Sequence, residues 1–254
     1  MSKLRDAIYG FAVADALGVP FEFKKRGSFC CKDMVGFGTW NKEAGTWSDD
    51  TSMTIATCKS IKDKGYIDID DIRKNFKKWL FNGEFTADGE VFDVGTTTRE
   101  ALQLNRGLSD FYSNGNGSLM RILPIAFIDA SDEKIEEVSS ITHAHEISRK
   151  ACVDYVHIAR KLISGEKLNL ENKSMDEVKS TGFVLHTLDA SLWCILNTDN
   201  YKDAVLKAVN LGDDTDTTAA VTGGLAGIIY GYNAIPREWI EKLKNKKLIE
   251  GCLF

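Results

Sequence analysis

The sequence predicts an all-α protein, and three observations carry that reading. Apolar residues recur at helical rather than alternating spacing, and convincing alternating strands with hairpin turns are missing. Two segments are apolar or small on nearly every side, as expected of helices packed all round in the middle of a bundle. A buried centre of that kind suggests one large domain over residues 1–254 rather than two small ones, and no linker or internal repeat divides the chain. About nine helices joined by short loops describe it.

DAIYGFAVADALGVPFEF is the first central helix, and FCCKDMVGFGTW after it reads as irregular chain or a short strand. SDDTS then introduces the helix TSMTIATCKSI. In DIDDIRKNFKKWLF, Ile69, Ile72, Phe76, Trp79 and Leu80 share one helical face while lysines cover the other. SNGNGSLMRILPIAF places a Gly/Asn/Ser turn just before a helix. SDEKIEEVSSI and NYKDAVLKAV begin with the capping residues Ser131 and Asn200. ISRKACVDYVHIARKLISG has Gly165 as its stop, and VLHTLDASLWCIL is flanked by Gly182 and Asn197. DDTDT introduces TTAAVTGGLAGIIYGY, the second central helix. It lies in the uncharged stretch Thr217 to Ile235, but a membrane span needs about 20 predominantly apolar residues. This stretch spends many positions on Gly, Thr and Asn, which favours a buried helix.

Composition narrows the function. Hydrophobic residues make up 43% and charged residues 27% of the 254, as in an ordinary globular protein. Thirty-seven acids against thirty-two bases leave a net charge of −5, so neither general nucleic-acid binding nor attraction to anionic lipid is expected. Lys244, Lys246 and Lys247 read as a solvated helix face. No cysteine pair has CxxC spacing, and Cys58, Cys152 and Cys194 fall in apolar helical stretches; buried, reduced thiols point to a reducing compartment. Asp6 and Asp15 interrupt the N-terminal apolar run, which a signal peptide would not carry. A cytoplasmic protein without a membrane segment is the expectation.

The chemistry concentrates in two acidic clusters at helix starts, Ser48 to Ser52 and Asp213 to Thr217. One carboxylate suffices to cap a helix, whereas these clusters hold two and three beside hydroxyls. They lead into helices that read as buried, where spare carboxylates are costly without a partner. Hard cations such as Mg²⁺ or Mn²⁺ take oxygen ligands of this kind. Neighbours such as Asp49 and Asp50 diverge by about 100° if helical, so the pair can serve two ions. Asp214 and Asp216 can face one site. The loop Gly115 to Ser118, with Arg121 one turn later, suits an anion, although no P-loop lysine follows. His143 and His145 form an HxH between helices, either as metal ligands or in polar contacts; His157 and His186 read as structural. The DDxxD pattern of all-α isoprenoid synthases fails at Met53 and Thr217, and neither a GxSxG elbow nor an HD pair occurs.

Together, ADALGVPFEF, GTWSDDTSM, FDVGTTTREAL, GNGSLMRILPIA, ITHAHE and LGDDTDTTAAVTGGLAGIIYG resemble the ADP-ribosylglycohydrolases of the dinitrogenase-reductase-activating type, in order from Ile8 to Tyr232. The resemblance implies an all-α orthogonal bundle whose site holds two Mg²⁺ or Mn²⁺ ions and removes ADP-ribose from modified side chains, with arginine N-glycosides the default. It assigns Ser48, Asp49, Asp50, Asp214, Asp216 and Thr217 to the metals. Glu22 matches the family's flexible-loop acid, and one carboxylate from Asp49, Asp50 or Glu22 is expected to act as base or proton shuttle, the sequence leaving open which. Asp93, Gly95 and Thr96 fall in the pocket segment near the scissile ribose. Asn116, Gly117, Ser118, Met120 and Arg121 make the diphosphate and ribose loop, and His143 helps hold ADP-ribose. Three positions depart from the family pattern: Ala14 and Asp213 stand where Gly is usual, and Ser48 where Thr is. The Asp213 carboxylate is expected beside the site. An ADP-ribosylated protein or small molecule is the expected partner, ADP-ribose the product, and a monomer the expected state. The competing expectation is a binding-only or crystallin-like relative without turnover.

Overall fold

Residues 2–169, 171 and 173–254 are described by the computed structural model. Among them run α1 (Lys3–Gly18), α2 (Asp49–Lys64), α3 (Ile69–Asn82), α4 (Thr96–Leu104), α5 (Asp132–Ser139) and α6 (Glu146–Ile163). α7 (Val184–Leu196), α8 (Tyr201–Val209), α9 (Thr215–Tyr230), α10 (Arg237–Lys242) and α11 (Lys246–Cys252) follow. Seven short 3-10 helices lie between them. No sheet forms among the described residues; β-type pairing is confined to three isolated bridges, including Phe37–Lys42 and Leu108–His143. The all-α expectation therefore holds.

Eleven helices replace the expected nine, because α4, α10 and α11 are only six to nine residues long, too short for apolar spacing to mark them as helices. The helix expected after Ser118 is absent. Two 3-10 turns, Leu119–Arg121 and Leu123–Phe127, stand there instead, with Pro124 in the second, where its missing N–H and fixed φ suit a helix start but not an interior. Local signals elsewhere hold well. Ser131 and Asn200 cap α5 and α8 through their side chains, Asn197 closes α7, and Gly165 follows the end of α6 at φ +85°. FCCKDMVGFGTW is irregular, ending in the 3-10 turn Gly38–Trp40. Five cysteines are buried, whereas Cys30 is exposed.

α1 and α9 run antiparallel through the centre and form the most extensive helix pair. Their backbones touch because the facing positions lack side chains. A Cβ on Gly10 would lie 2.4 Å from the Gly223 carbonyl oxygen, and one on Gly223 would lie 2.4 Å from the Ala14 Cβ. Near the end of α1, Gly18 meets the backbone of Thr215 and Asp216. The uncharged stretch from Thr217 is thus mostly the buried helix α9, which ends at Tyr230. No helix among the described residues is long and apolar enough to cross a membrane. This central pair decides where the chemistry sits, because it sets the end of α1 against the start of α9.

Candidate active site

The site begins with Asp15, a fully buried carboxylate in the last turn of α1. It accepts hydrogen bonds from the Ser48 N–H (3.0 and 3.1 Å), the Thr51 N–H (3.0 Å) and the Thr51 hydroxyl (2.5 Å). Asp15 thereby caps α2 from another helix, drawing the Ser48–Asp50 cluster against the Asp214–Asp216 cluster of α9. Burial pushes its carboxyl up to about 6, against the lowering effect of those donors. The motif comparison assigned Asp15 no role. Its signal was present nonetheless, as a lone carboxylate in the apolar run of a central helix that would need a buried partner.

Asp49 and Asp50 diverge as their helical spacing requires. Asp49 lines an open cleft of about 430 Å³, whereas Asp50 lies beneath it, fully buried. Carboxylate oxygens of Asp15, Asp50 and Asp216 converge within 4.8 Å of one another, and those of Glu22, Asp93 and Asp216 do likewise. Asp216 belongs to both groups. Burial raises Asp49, Asp50 and Asp216 well above the ordinary carboxylate range, and mutual repulsion adds to it. Glu22 is pushed to about 9 and Asp93 to about 10, again by burial first and neighbouring charge second.

Such crowding fits a cation. Both carboxylate oxygens of Asp50, Oδ1 of Asp214 and Oδ2 of Asp216 are buried without a hydrogen-bond partner. Orphaned acceptors of this kind are expensive unless a cation satisfies them. The donors are all oxygens, which matches hard divalent ions. Ser48 Oγ accepts from the Asp50 N–H at 3.3 Å, and Thr217 lines the cleft beside Asp214.

Glu22, Asp93, Gly95, Thr96, Asn116, Gly117, Met120 and His143 line the cleft as well. Asn116 Nδ2 donates to Asp214 Oδ2 (2.8 Å) and to Thr187 Oγ1 (2.9 Å), so its amide orients a carboxylate of the acid cluster. Gly117 lies close under His143, where a Cβ would come within 2.8 Å of the imidazole and 2.9 Å of Thr98 Oγ1. A wider groove of about 680 Å³ opens elsewhere, lined by Lys59, Phe85 and Leu248, and none of the acid clusters reaches it.

Three expectations need correction. Arg121 does not enter the cleft. It is fully buried, stacks over Phe76 (4.6 Å to the centroid), and donates to the carbonyls of Val138 (3.1 Å) and Ser139 (3.3 Å) and to Thr142 Oγ1 (2.7 Å). Ser118 is likewise buried under the loop, bonded to Ser139 Oγ at 3.0 Å. Asp213 adopts φ +59°, which accounts for a preference for Gly there; its side chain is exposed and lines neither the cleft nor an acid triad.

Arg121 still acts on the cleft, through a relay. A guanidinium only donates, so Thr142 Oγ1 accepts from Arg121 and has its own hydrogen free for His143 Nδ1, 2.8 Å away. With Thr142 as donor to Nδ1, His143 carries its proton on Nε2. Burial, with the charge of Arg121, lowers its pKa to about 3, so it is a neutral donor at any physiological pH. His145 is not a ligand; its Nδ1 accepts from the Ile147 N–H and caps α6. His157 pairs with Asp132 on the surface, and His186 bonds Thr181.

Comparison with known proteins agrees with this geometry. The sequence profile described as ADP-ribosylglycohydrolase matches residues 1–175 and 166–253. The chain is 34% identical over 284 residues to ADP-ribosylarginine hydrolase Tri1 of Serratia proteamaculans (strain 568), covering 99% of this chain and 78% of that one. It is 30% identical to the ADP-ribosyl-(dinitrogen reductase) glycohydrolase of Rhodospirillum rubrum, covering 94% and 90%. A solved chain described as an ADP-ribosylglycohydrolase-related protein complex superposes with a TM-score of 0.82 at 27% identity, covering 98% and 95%. With its acid clusters at the junction of α1, α2 and α9, the chain belongs to the ADP-ribosylglycohydrolase family of enzymes.

Proposed function

We propose that this enzyme uses two divalent cations, Mg²⁺ or Mn²⁺, to cleave the N-glycosidic bond between ADP-ribose and a modified arginine side chain. The observation that carries the reading is the set of orphaned carboxylate oxygens on Asp50, Asp214 and Asp216. Ser48, Asp49, Asp50, Asp214, Asp216 and Thr217 would hold the ions. When bound, such ions supply Lewis-acid charge that polarises ribose hydroxyls and water.

The chain's own residues do the rest. His143 donates from Nε2 to an oxygen of the bound ADP-ribose, while Asp93, Gly95, Thr96 and the Asn116–Gly117 turn shape the ribose and diphosphate site. Among Glu22, Asp49 and Asp50, Glu22 is best placed as base, the charge of the bound cations favouring its ionised form against the burial and neighbouring acids that raise it. It lines the cleft, and the Trp40 indole N–H holds its Oε2, which leaves the other oxygen to take a proton from water. The water oxygen joins the anomeric carbon of the distal ribose, the carbon–nitrogen bond breaks, and the guanidine leaves with the proton that Glu22 took from the water. Arginine as acceptor is supported by relatives named for ADP-ribosylarginine. On this reading residues 1–254 work as one domain and as a monomer, since α1, α2 and α9 complete the acid cluster within one chain.

The test is release of free ADP-ribose from an arginine-ADP-ribosylated protein with Mg²⁺ or Mn²⁺, and again with EDTA. Metal-dependent release is expected. Release from a serine-linked substrate alone would overturn the linkage, release undiminished by EDTA the cation, and saturable ADP-ribose binding without any release would select the binding-only relative.

A further inference from the structure

We propose that Phe23 and Trp40 form the subsite that receives the acceptor's guanidinium group, beside the carboxyls of Glu22 and Asp93, with Phe92 packed against Trp40 behind them. The inference deepens the arginine-linkage reading and rests on it.

The cleft has two chemically different sides. One is built from the Gly115–Gly117 turn, Thr96 to Thr98 and His143, which offer neutral polar groups, with the exposed Tyr112 ring also in the lining. The other carries Phe23 and Trp40 beside Glu22 and Asp93. The Trp40 ring lies 6.2 Å from Phe23 and 5.5 Å from Phe92, centroid to centroid, both pairs tilted. Aromatic faces next to carboxylates are complementary to a flat, delocalised cation, which can stack on a ring while donating hydrogen bonds at its edge. Among the described residues no lysine or arginine lines the cleft, so the Phe23 and Trp40 rings face it without a side-chain cation from the lining.

The wall is held in place at some expense. Phe23 sits at φ +63°, a backbone region that non-glycine residues rarely occupy, and its side chain is 67% exposed. Its backbone is clamped, with the Phe23 N–H on the Asp213 carbonyl (2.7 Å) and the Asp213 N–H on the Lys24 carbonyl (2.8 Å). The Trp40 turn is fixed to the Glu22 segment as well. Gly38, at φ +70°, packs so closely that a Cβ would meet the Pro20 carbonyl oxygen at 2.1 Å, and Thr39 Oγ1 donates to the Glu22 carbonyl (2.7 Å). Lys42 lies over the Phe92 ring at 5.0 Å and is paired with Asp88 and Glu90. A strained, exposed phenylalanine and an indole tied to the proposed base need a reason beyond packing, and an acceptor side chain leaving past Glu22 provides one.

The probe is agmatine, a guanidinium without the sugar nucleotide. It is titrated into enzyme loaded with ADP-ribose and Mn²⁺, as wild type and as Phe23→Ala, Trp40→Leu and Trp40→Phe. ADP-ribose affinity and the KM for ADP-ribosylated arginine are measured in parallel. Loss of a stacking face should weaken agmatine about fivefold to thirtyfold in Phe23→Ala and Trp40→Leu. KM should rise by a similar factor and ADP-ribose affinity should hold. Trp40→Phe, which keeps a ring but loses the N–H to Glu22, should retain agmatine binding and lose kcat. Equal agmatine affinity in all four proteins would overturn the subsite, as would ADP-ribose affinity falling in step. Agmatine binding needs no turnover, so a wild type that binds it through these rings yet leaves arginine-linked ADP-ribose uncleaved would reject the activity reading and keep the subsite.

Discussion

Replacing Asp93 by asparagine should stabilise the metal-free protein while impairing the enzyme. Asp93 is pushed to about 10 by burial and by the charges of Asp49 and Glu22, against an ordinary value of 3.8. A carboxyl whose pKa is higher folded than unfolded favours folding at low pH, and its cost grows as pH rises from the unfolded value toward the folded one. At pH 7 the gap of 3.2 units corresponds to at most about 4 kcal/mol. Asp93 is only half-buried, so solvent screening reduces this to about 1–3 kcal/mol. Asparagine suits the site otherwise, since it tolerates φ +57° and its amide can donate to Asp216. Urea unfolding followed by tryptophan fluorescence, in EDTA at pH 5 and pH 8, gives the comparison. The variant should gain about 1–3 kcal/mol at pH 8, less at pH 5, and lose its advantage in saturating Mn²⁺. An unchanged pH dependence, or no gain at pH 8, would refute the electrostatic account of the cluster.

Three further outcomes are expected. Asp15→Ala strands two buried N–H groups and a hydroxyl, each worth about 1–3 kcal/mol, so it should unfold early and lose cation-induced thermal stabilisation, with Asp15→Asn milder on both counts. Thr142→Val should free His143 Nδ1, detected as a change in ring nitrogen shifts by NMR, and weaken ADP-ribose about tenfold; Thr142→Ser should restore both. Gly223→Ala forces a Cβ to within 2.4 Å of α1, and chemical denaturation should show a loss of at least about 1–3 kcal/mol.

What the sequence made legible was local. Ser48, Asp49 and Asp50, or Asp214 to Thr217, announce themselves because a helix start needs one acid and these offer more. The caps Ser131, Asn197 and Asn200 depend on a few neighbouring residues and were readable for the same reason. Arg121 went the wrong way because its direction depends on a 3-10 turn where a helix was expected, so the guanidinium faces inward to the Val138–Thr142 turn. Asp15 was visible only as an oddity, since its partners lie 33 and 36 positions away. The aromatic wall was invisible for a related reason: Phe23 and Trp40 lie far apart in the α1–α2 connection, Phe92 comes from the α3–α4 connection, and they share no periodicity.

The backbone contact between α1 and α9 also bears on how the molecule is made. Its two members are separated by roughly 200 residues of chain, a high sequence separation that slows folding. During synthesis α1 emerges early and must remain without its main partner until Tyr230 has left the ribosome, with a nearly uncharged face unburied. The repelling carboxylates are consequently brought together in a late step of assembly. A cation that binds only the completed cluster would then draw that step forward by mass action, making metal supply a determinant of yield as well as of turnover.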